Sequence, residues 1–248
     1  MPPAGSAVST NAPEIRIPSG TVAASGTVPA VGVRSLALFD LDGTITRHDT
    51  LFPYVHRFLH RHPLRAPGAL RVLPALVRFA IGNLDHGGLK ATFIRGTLGG
   101  CTRAQIDAWT ARFVPRLIAR GLFADARSAI ERHRGAGDAL VLMSASVDLY
   151  VPAIARALGF SECICTAVRW DGERLDGALA SPNRRGPEKA RCLEALRTRF
   201  PQMPIVAYGN AASDLEHLRL ADNAVLVNGS ARARRDAAAA GIRTVTWR

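Results

Sequence analysis

Lysine is scarce in this chain. Lys90 and Lys189 are the only two, and arginine supplies the rest of the 32 basic residues. Cysteine is scarce as well. Cys101, Cys163, Cys165 and Cys192 contain no C-x-x-C pair, which excludes the usual zinc-ligand spacing. Four cysteines in 248 residues do not make a disulfide scaffold, so a reducing, cytoplasmic setting is expected. No uninterrupted apolar run reaches the roughly eighteen residues that a spanning helix needs. The first 34 residues lack a basic stretch followed by a long apolar one, so they do not read as a signal peptide. Rich in Pro, Ala, Gly, Ser and Thr, they read as a disordered tail. Trp109, Trp170 and Trp247 are scattered and read as packing residues. Without a basic-aromatic platform, nucleic acid is not an expected partner.

What the chain does have is positive charge, +12 in all, spread along its length. An even spread reads as composition, although it also suits a phosphorylated substrate or an anionic surface. The hydrophobic share of 48% predicts a folded globule.

"SLALFDLD" (35–42) is a short apolar run ending in acids before Gly43, as a buried parallel strand and its loop would read. Residues 50–120 carry apolar side chains at three-to-four spacing and predict a helical insertion. Strand and helix patterns then alternate from "DALVLMSAS" to "IRTVTW". That alternation predicts an α/β fold with a doubly wound parallel sheet, split by the insertion. The expected parts are the tail over 1–34, a core over 35–49 and 121–248, and a helical cap over 50–120. Two Asp-Gly pairs, 171–172 and 176–177, predict turns and a small hairpin.

In an open α/β sheet ligands bind beyond the carboxyl ends of the strands. Polar residues mark three such ends: Asp40 with Asp42, Ser144, and Asn210 with Asp214. Lys189 opens a nearby helix. Acids with oxygen ligands suit a divalent cation, and Ser144 and Lys189 offer donors to phosphate oxygens. Of two neighbouring carboxylates, one can attack while the other exchanges protons with the leaving group. Gly43 permits close approach of backbone to ligand. At Lys189 a compact ammonium fits among carboxylates where a guanidinium would not. His56 and His60, at i and i+4, lack a third ligand and read as solvated residues.

These residues, in this order, resemble the haloacid dehalogenase superfamily. "DLDGT" (40–44) matches its first motif, D-x-D-G-[TV]. "VLMSAS" (141–146) matches the second, Lys189 in "GPEKARCLEAL" the third, and "AYGNAASDLEHL" (207–218) resembles the fourth, G-D-x-x-x-D. The helical insertion and the "SAS" form resemble the phosphoserine-phosphatase-like branch, subfamily IB. The resemblance implies a phosphatase in which Asp40 forms an aspartyl-phosphate and Asp42 serves as general acid and base. Ser144, Lys189 and Gly43 would hold the phosphate. Mg²⁺ would sit on Asp40, the Asp42 carbonyl, Asn210 and Asp214. Asn210 departs from the family pattern, which has an acid there, so Asp214 is expected to carry most of that motif's charge. An acid nine residues after the nucleophile binds the substrate amine in phosphoserine phosphatases; here it is Asp49.

The expected partner is a phosphorylated small molecule. The cap segment also resembles that of bacterial phosphatidylglycerophosphatase C, which leaves a phospholipid head group and peripheral contact with the inner membrane face as an alternative. A weakly catalytic binding module is another.

Overall fold

The computed structural model describes residues 34–248 together with the backbone of Thr21–Val22. The remainder of the expected N-terminal tail lies outside the described residues. The strands are β1 (Thr21–Val22), β2 (Leu36–Phe39), β3 (Ala139–Val147), β4 (Glu162–Thr166), β5 (Val168–Asp171), β6 (Arg174–Leu179), β7 (Ile205–Gly209), β8 (Asn223–Val227) and β9 (Arg243–Val245). The main sheet has the order β1-β4-β3-β2-β7-β8-β9. Its six strands from β4 to β9 run parallel, and β1 joins the edge antiparallel.

The apolar run of β2 shows why this strand is central. All four of its residues are buried, and they alternate between two cores. Ala37 and Phe39 face one layer with Tyr54, Ile130 and Ile154. Leu36 and Leu38 face the other with Leu193, Leu218 and Ala237. A strand covered on both faces has no polar side to show, which is why its sequence lacks alternation. Cys163 and Cys165 belong to the first core and Ile164 to the second, the two-residue period expected for β4.

Between β2 and β3 lie α1 (Leu51–Arg61), a 3₁₀ segment (Pro63–Val72), α2 (Leu73–Ala80), α3 (His86–Leu98), α4 (Arg103–Arg120) and α5 (Ala124–Ala136). Pro63 and Pro67 lie in the 3₁₀ segment, where missing N–H groups and fixed φ favour a tight, irregular winding. α4 starts at a capping box in which Thr102 and Gln105 satisfy each other's backbone N–H groups. The remaining helices are α6 (Val151–Ala157), α7 (Pro187–Arg199), α8 (Leu215–Leu218) and α9 (Ala231–Ala239). α7, α8 and α9 cover the second face.

β5 and β6 form the small hairpin, turning through Gly172 and Glu173 directly after Asp171. The second Asp-Gly pair is not a turn. Gly177 lies inside β6 with φ +87°, and a Cβ there would come within 2.8 Å of the Arg95 backbone. It is a glycine of close approach, which a dipeptide rule cannot distinguish from a turn. Through it the hairpin grips α3, and the Gly100 N–H donates to the Leu175 carbonyl at 2.7 Å.

Candidate active site

Chain order reverses at β2: β3 and β4 lie on one side of it, β7 to β9 on the other. The carboxyl ends of β2, β3 and β7 therefore open a crevice, and a cavity of about 510 Å³ lies there. Asp40, Asp42, Gly43, Lys189, Asn210 and Asp214 all line it.

Asp40 follows β2 directly. Its Oδ1 accepts from Lys189 Nζ at 2.7 Å and its Oδ2 from the Thr44 hydroxyl at 3.0 Å, so the carboxylate cannot rotate freely. Lys189 also donates to Asp214 Oδ1 at 2.7 Å. One ammonium is thus shared by two buried carboxylates. Burial raises the Asp40 carboxyl; Lys189 pulls it down, while Asp214 and Asp42 push it further up, and the balance is upward. Asp214 goes the other way. Burial alone would raise it, but Lys189 and the loop N–H groups hold it ionised, below the usual carboxylate range. Burial alone would lower Lys189, but the two carboxylates hold it protonated.

Asp42 has neutral partners. Its Oδ1 accepts from both the N–H and the hydroxyl of Thr50, each at 2.7 Å, and its Oδ2 from the Ser146 hydroxyl at 2.6 Å. Thr50 is itself backed by the Tyr150 hydroxyl at 3.0 Å. Burial raises the Asp42 carboxyl, Asp49 adds to the rise, and the Ser146 and Thr50 hydrogen bonds offset part of it. A carboxyl lifted by burial and free of any salt bridge is suited to holding and releasing a proton.

Gly43 has φ +81°, and a Cβ on it would lie 2.0 Å from Asn210 Nδ2. Any side chain there would push the Asn210 amide aside and strain a backbone held at positive φ. Ser144 is wholly buried and off the cavity wall; its Oγ accepts from the Ser146 N–H at 3.0 Å. Asp49 is exposed at the mouth, where its Oδ1 accepts from the Phe52 N–H at 3.0 Å and caps the first turn of α1. Asp214 Oδ2 accepts from the N–H groups of Asn210 and Ala211, at 3.1 and 3.0 Å. Three of its roughly four acceptor positions are therefore occupied within the protein.

Thr44, Thr50 and Ser146 escaped the sequence reading because a hydroxyl's partner is decided by folding. Lys90 had a signal: it is the other of the two lysines. It lines this same cavity, with Asn183 and Arg185.

The chain belongs to the haloacid dehalogenase-like hydrolase family, whose model matches residues 37–219. Within that family, proteins named as phosphoserine phosphatases are among those similar to it in sequence and in fold. It is 34% identical over 194 residues to protein CicA of Caulobacter vibrioides, covering 75% of this chain and 83% of that one. It is 24% identical over 239 residues to phosphoserine phosphatase SerB1 of Mycobacterium tuberculosis, covering 94% and 77%. A solved protein of unknown function from Bordetella pertussis Tohama I shares the fold with a TM-score of 0.73, 24% identity, and coverage of 86% and 98%. Solved phosphoserine phosphatases share it too. Among the described residues no helix is long and apolar enough to cross a membrane.

Proposed function

We propose that the protein hydrolyses phosphate monoesters through an aspartyl-phosphate on Asp40, with Asp42 as general acid and then general base. The observation that supports this most is the asymmetry of the two acids: Asp40 bonded to a lysine, Asp42 only to neutral donors. An Asp40 oxygen attacks phosphorus. As that O–P bond forms, the bond to the alcohol oxygen breaks, and its electron pair stays on that oxygen. Asp42 gives its proton there. A water then loses a proton to Asp42 and attacks the same phosphorus, releasing phosphate and restoring Asp40. Lys189 stabilises charge on the transferring group and orients Asp40. The Ser144 hydroxyl, wholly buried here and accepting from the Ser146 N–H, reaches a phosphate oxygen only if that part of β3 shifts.

The donor chemistry fits Mg²⁺, with one carboxylate fewer than the family motif supplies. Asp40, the Asp42 main-chain carbonyl and the Asn210 amide offer hard oxygen ligands, and Asp214 offers its one open position. When bound, the cation would supply positive charge against the phosphoryl oxygens. Among the described residues no three His, Cys, Asp or Glu side chains form a metal-binding group, and Asn210 stands where the family motif has an acid. The deciding experiment is turnover of p-nitrophenyl phosphate with and without Mg²⁺ by wild type and Asp40→Asn. We expect metal-dependent turnover that falls on the order of 10⁴-fold in the variant. Equal background in both proteins would overturn the proposal.

A second observation favours peripheral contact with anionic lipid. Leu64, Leu70, Val77 and Ile81 are each more than 60% exposed along the 3₁₀ segment and α2. No acid lies between Asp49 and Asp85, while Arg57, Arg61, Arg65, Arg71 and Arg78 do. Apolar side chains flanked by arginine suit the headgroup boundary of a bilayer. The four buried free thiols fit a cytoplasmic face. Co-sedimentation with phosphatidylglycerol vesicles, lost in Leu64→Asp/Ile81→Asp, is the expected result; no sedimentation of wild type would remove this reading.

A further inference from the structure

The cavity has a cationic end that the chemistry above does not use. Lys90, on α3, is half-buried and donates to the Ala145 carbonyl and to Asn183 Oδ1, both neutral oxygens. An ammonium has three donors, so one remains. Arg185 and His86 line the same end, and both are exposed. Neither Lys90 nor Arg185 takes part in any ion pair among the described residues. The groups sense one another. Burial pushes Lys90 down to about 8; Asp42 and Asp49 pull up, while Arg185 and Lys189 push further down. His86 is lowered by burial and then by Arg185 and Lys90. Withdrawing a cation from water without a counter-ion costs free energy that a bound anion would recover.

Position says which part of a ligand carries that anion. Lys90 bonds Ala145, the neighbour of Ser146, and Ser146 bonds Asp42. Asp42 is the residue that protonates the leaving oxygen, so Lys90 lies on the leaving-group side of phosphorus. The choice of amino acid agrees. In a chain that uses arginine almost everywhere, both lysines line this one cavity. A compact ammonium can point between two carbonyls where a planar fork cannot.

We propose that Lys90, assisted by Arg185, binds an anionic substituent on the alcohol half of the substrate. Preferred substrates are then small phosphomonoesters carrying a carboxylate or a second phosphate near the ester oxygen. This rests on the reading of Asp40 and Asp42 given above. Glycerol 3-phosphate and 3-phosphoglycerate test it, because they differ in a hydroxymethyl group against a carboxylate. Propane-1,3-diol bisphosphate supplies the second-phosphate arm. Turnover is measured on wild type, and equilibrium binding on Asp40→Asn, which separates recognition from chemistry. An anionic-tailed compound should be preferred about tenfold or more by both measures, and Lys90→Met should bring the ratio to within about twofold of unity. Arg185→Gln, at an exposed position, should lower the ratio by about threefold, and it keeps the test open if Lys90→Met does not fold. No preference in wild type, or a preference that survives both substitutions, overturns the proposal. If nothing is turned over but Asp40→Asn still binds the anionic compounds in a Lys90-dependent way, the subsite stands and the phosphatase mechanism falls.

Discussion

On the floor of the cavity Asp40 and Asp214 share one ammonium, Lys189, and all three are buried. At the mouth Lys90, Arg185 and Arg47 face a single carboxylate, Asp49. Acid exceeds base below and base exceeds acid above. A phosphate monoester needs both: a carboxylate placed to attack, and positive charge to receive the substrate's own. The floor is fixed by hydrogen bonds among buried groups, whose geometry water cannot relax. The mouth is partly solvated, so its charges act mainly on what enters.

The largest expected effect breaks the floor. Lys189→Met leaves two buried carboxylates without a counter-ion, which costs about 3–5 kcal/mol of stability at pH 8. Both carboxyls would then have folded-state values above their unfolded ones. Such a penalty is absent well below the unfolded value and grows as pH rises through the folded one. Urea denaturation should therefore show a smaller loss at pH 5 than at pH 8, and the same loss at both would contradict the shared-ammonium description.

Next in size is a contrast within the floor. Asp214→Asn loosens the loop that Asp214 ties through Asn210 and Ala211, and it should lower stability by about 2 kcal/mol. Asp40→Asn removes the surplus carboxylate and should leave thermal stability near that of wild type. If Asp40→Asn proves the less stable of the two, Asp40 rather than Asp214 is the structural partner of Lys189. Both substitutions should abolish Mg²⁺-dependent turnover.

Asn210→Asp tests the missing charge more gently. It should remain active and reach half-maximal rate at a Mg²⁺ concentration at least about threefold lower, because carboxylate count tunes affinity in oxygen-ligand sites. An unchanged Mg²⁺ titration would remove Asn210 from the cation's surroundings. The smallest effect belongs to Asp42. Ser146→Ala deletes a hydrogen bond that favours the ionised form, so the Asp42 carboxyl should rise. The alkaline limb of the kcat profile, where the general acid loses its proton, should move to higher pH.

Much of this was legible in the chain itself. The apolar run before Asp40 dictated a strand buried on both faces, and the alternation after residue 138 dictated a parallel sheet. Asp42 beside Gly43, together with a lysine where arginine is the rule, marked the chemistry. Local pattern determines these because burial and backbone conformation act over a few residues. Tertiary structure decided who touches whom. Lys189 lies 149 residues from Asp40, Ser146 104 from Asp42, and Lys90 55 from Ala145. It turned Asp214 toward Lys189 and its own loop, withdrew Ser144 from the cavity wall, and made Gly177 a contact rather than a turn. A hydrogen bond's partner depends on which strand ends the sheet order brings together, and no spacing along the chain encodes that.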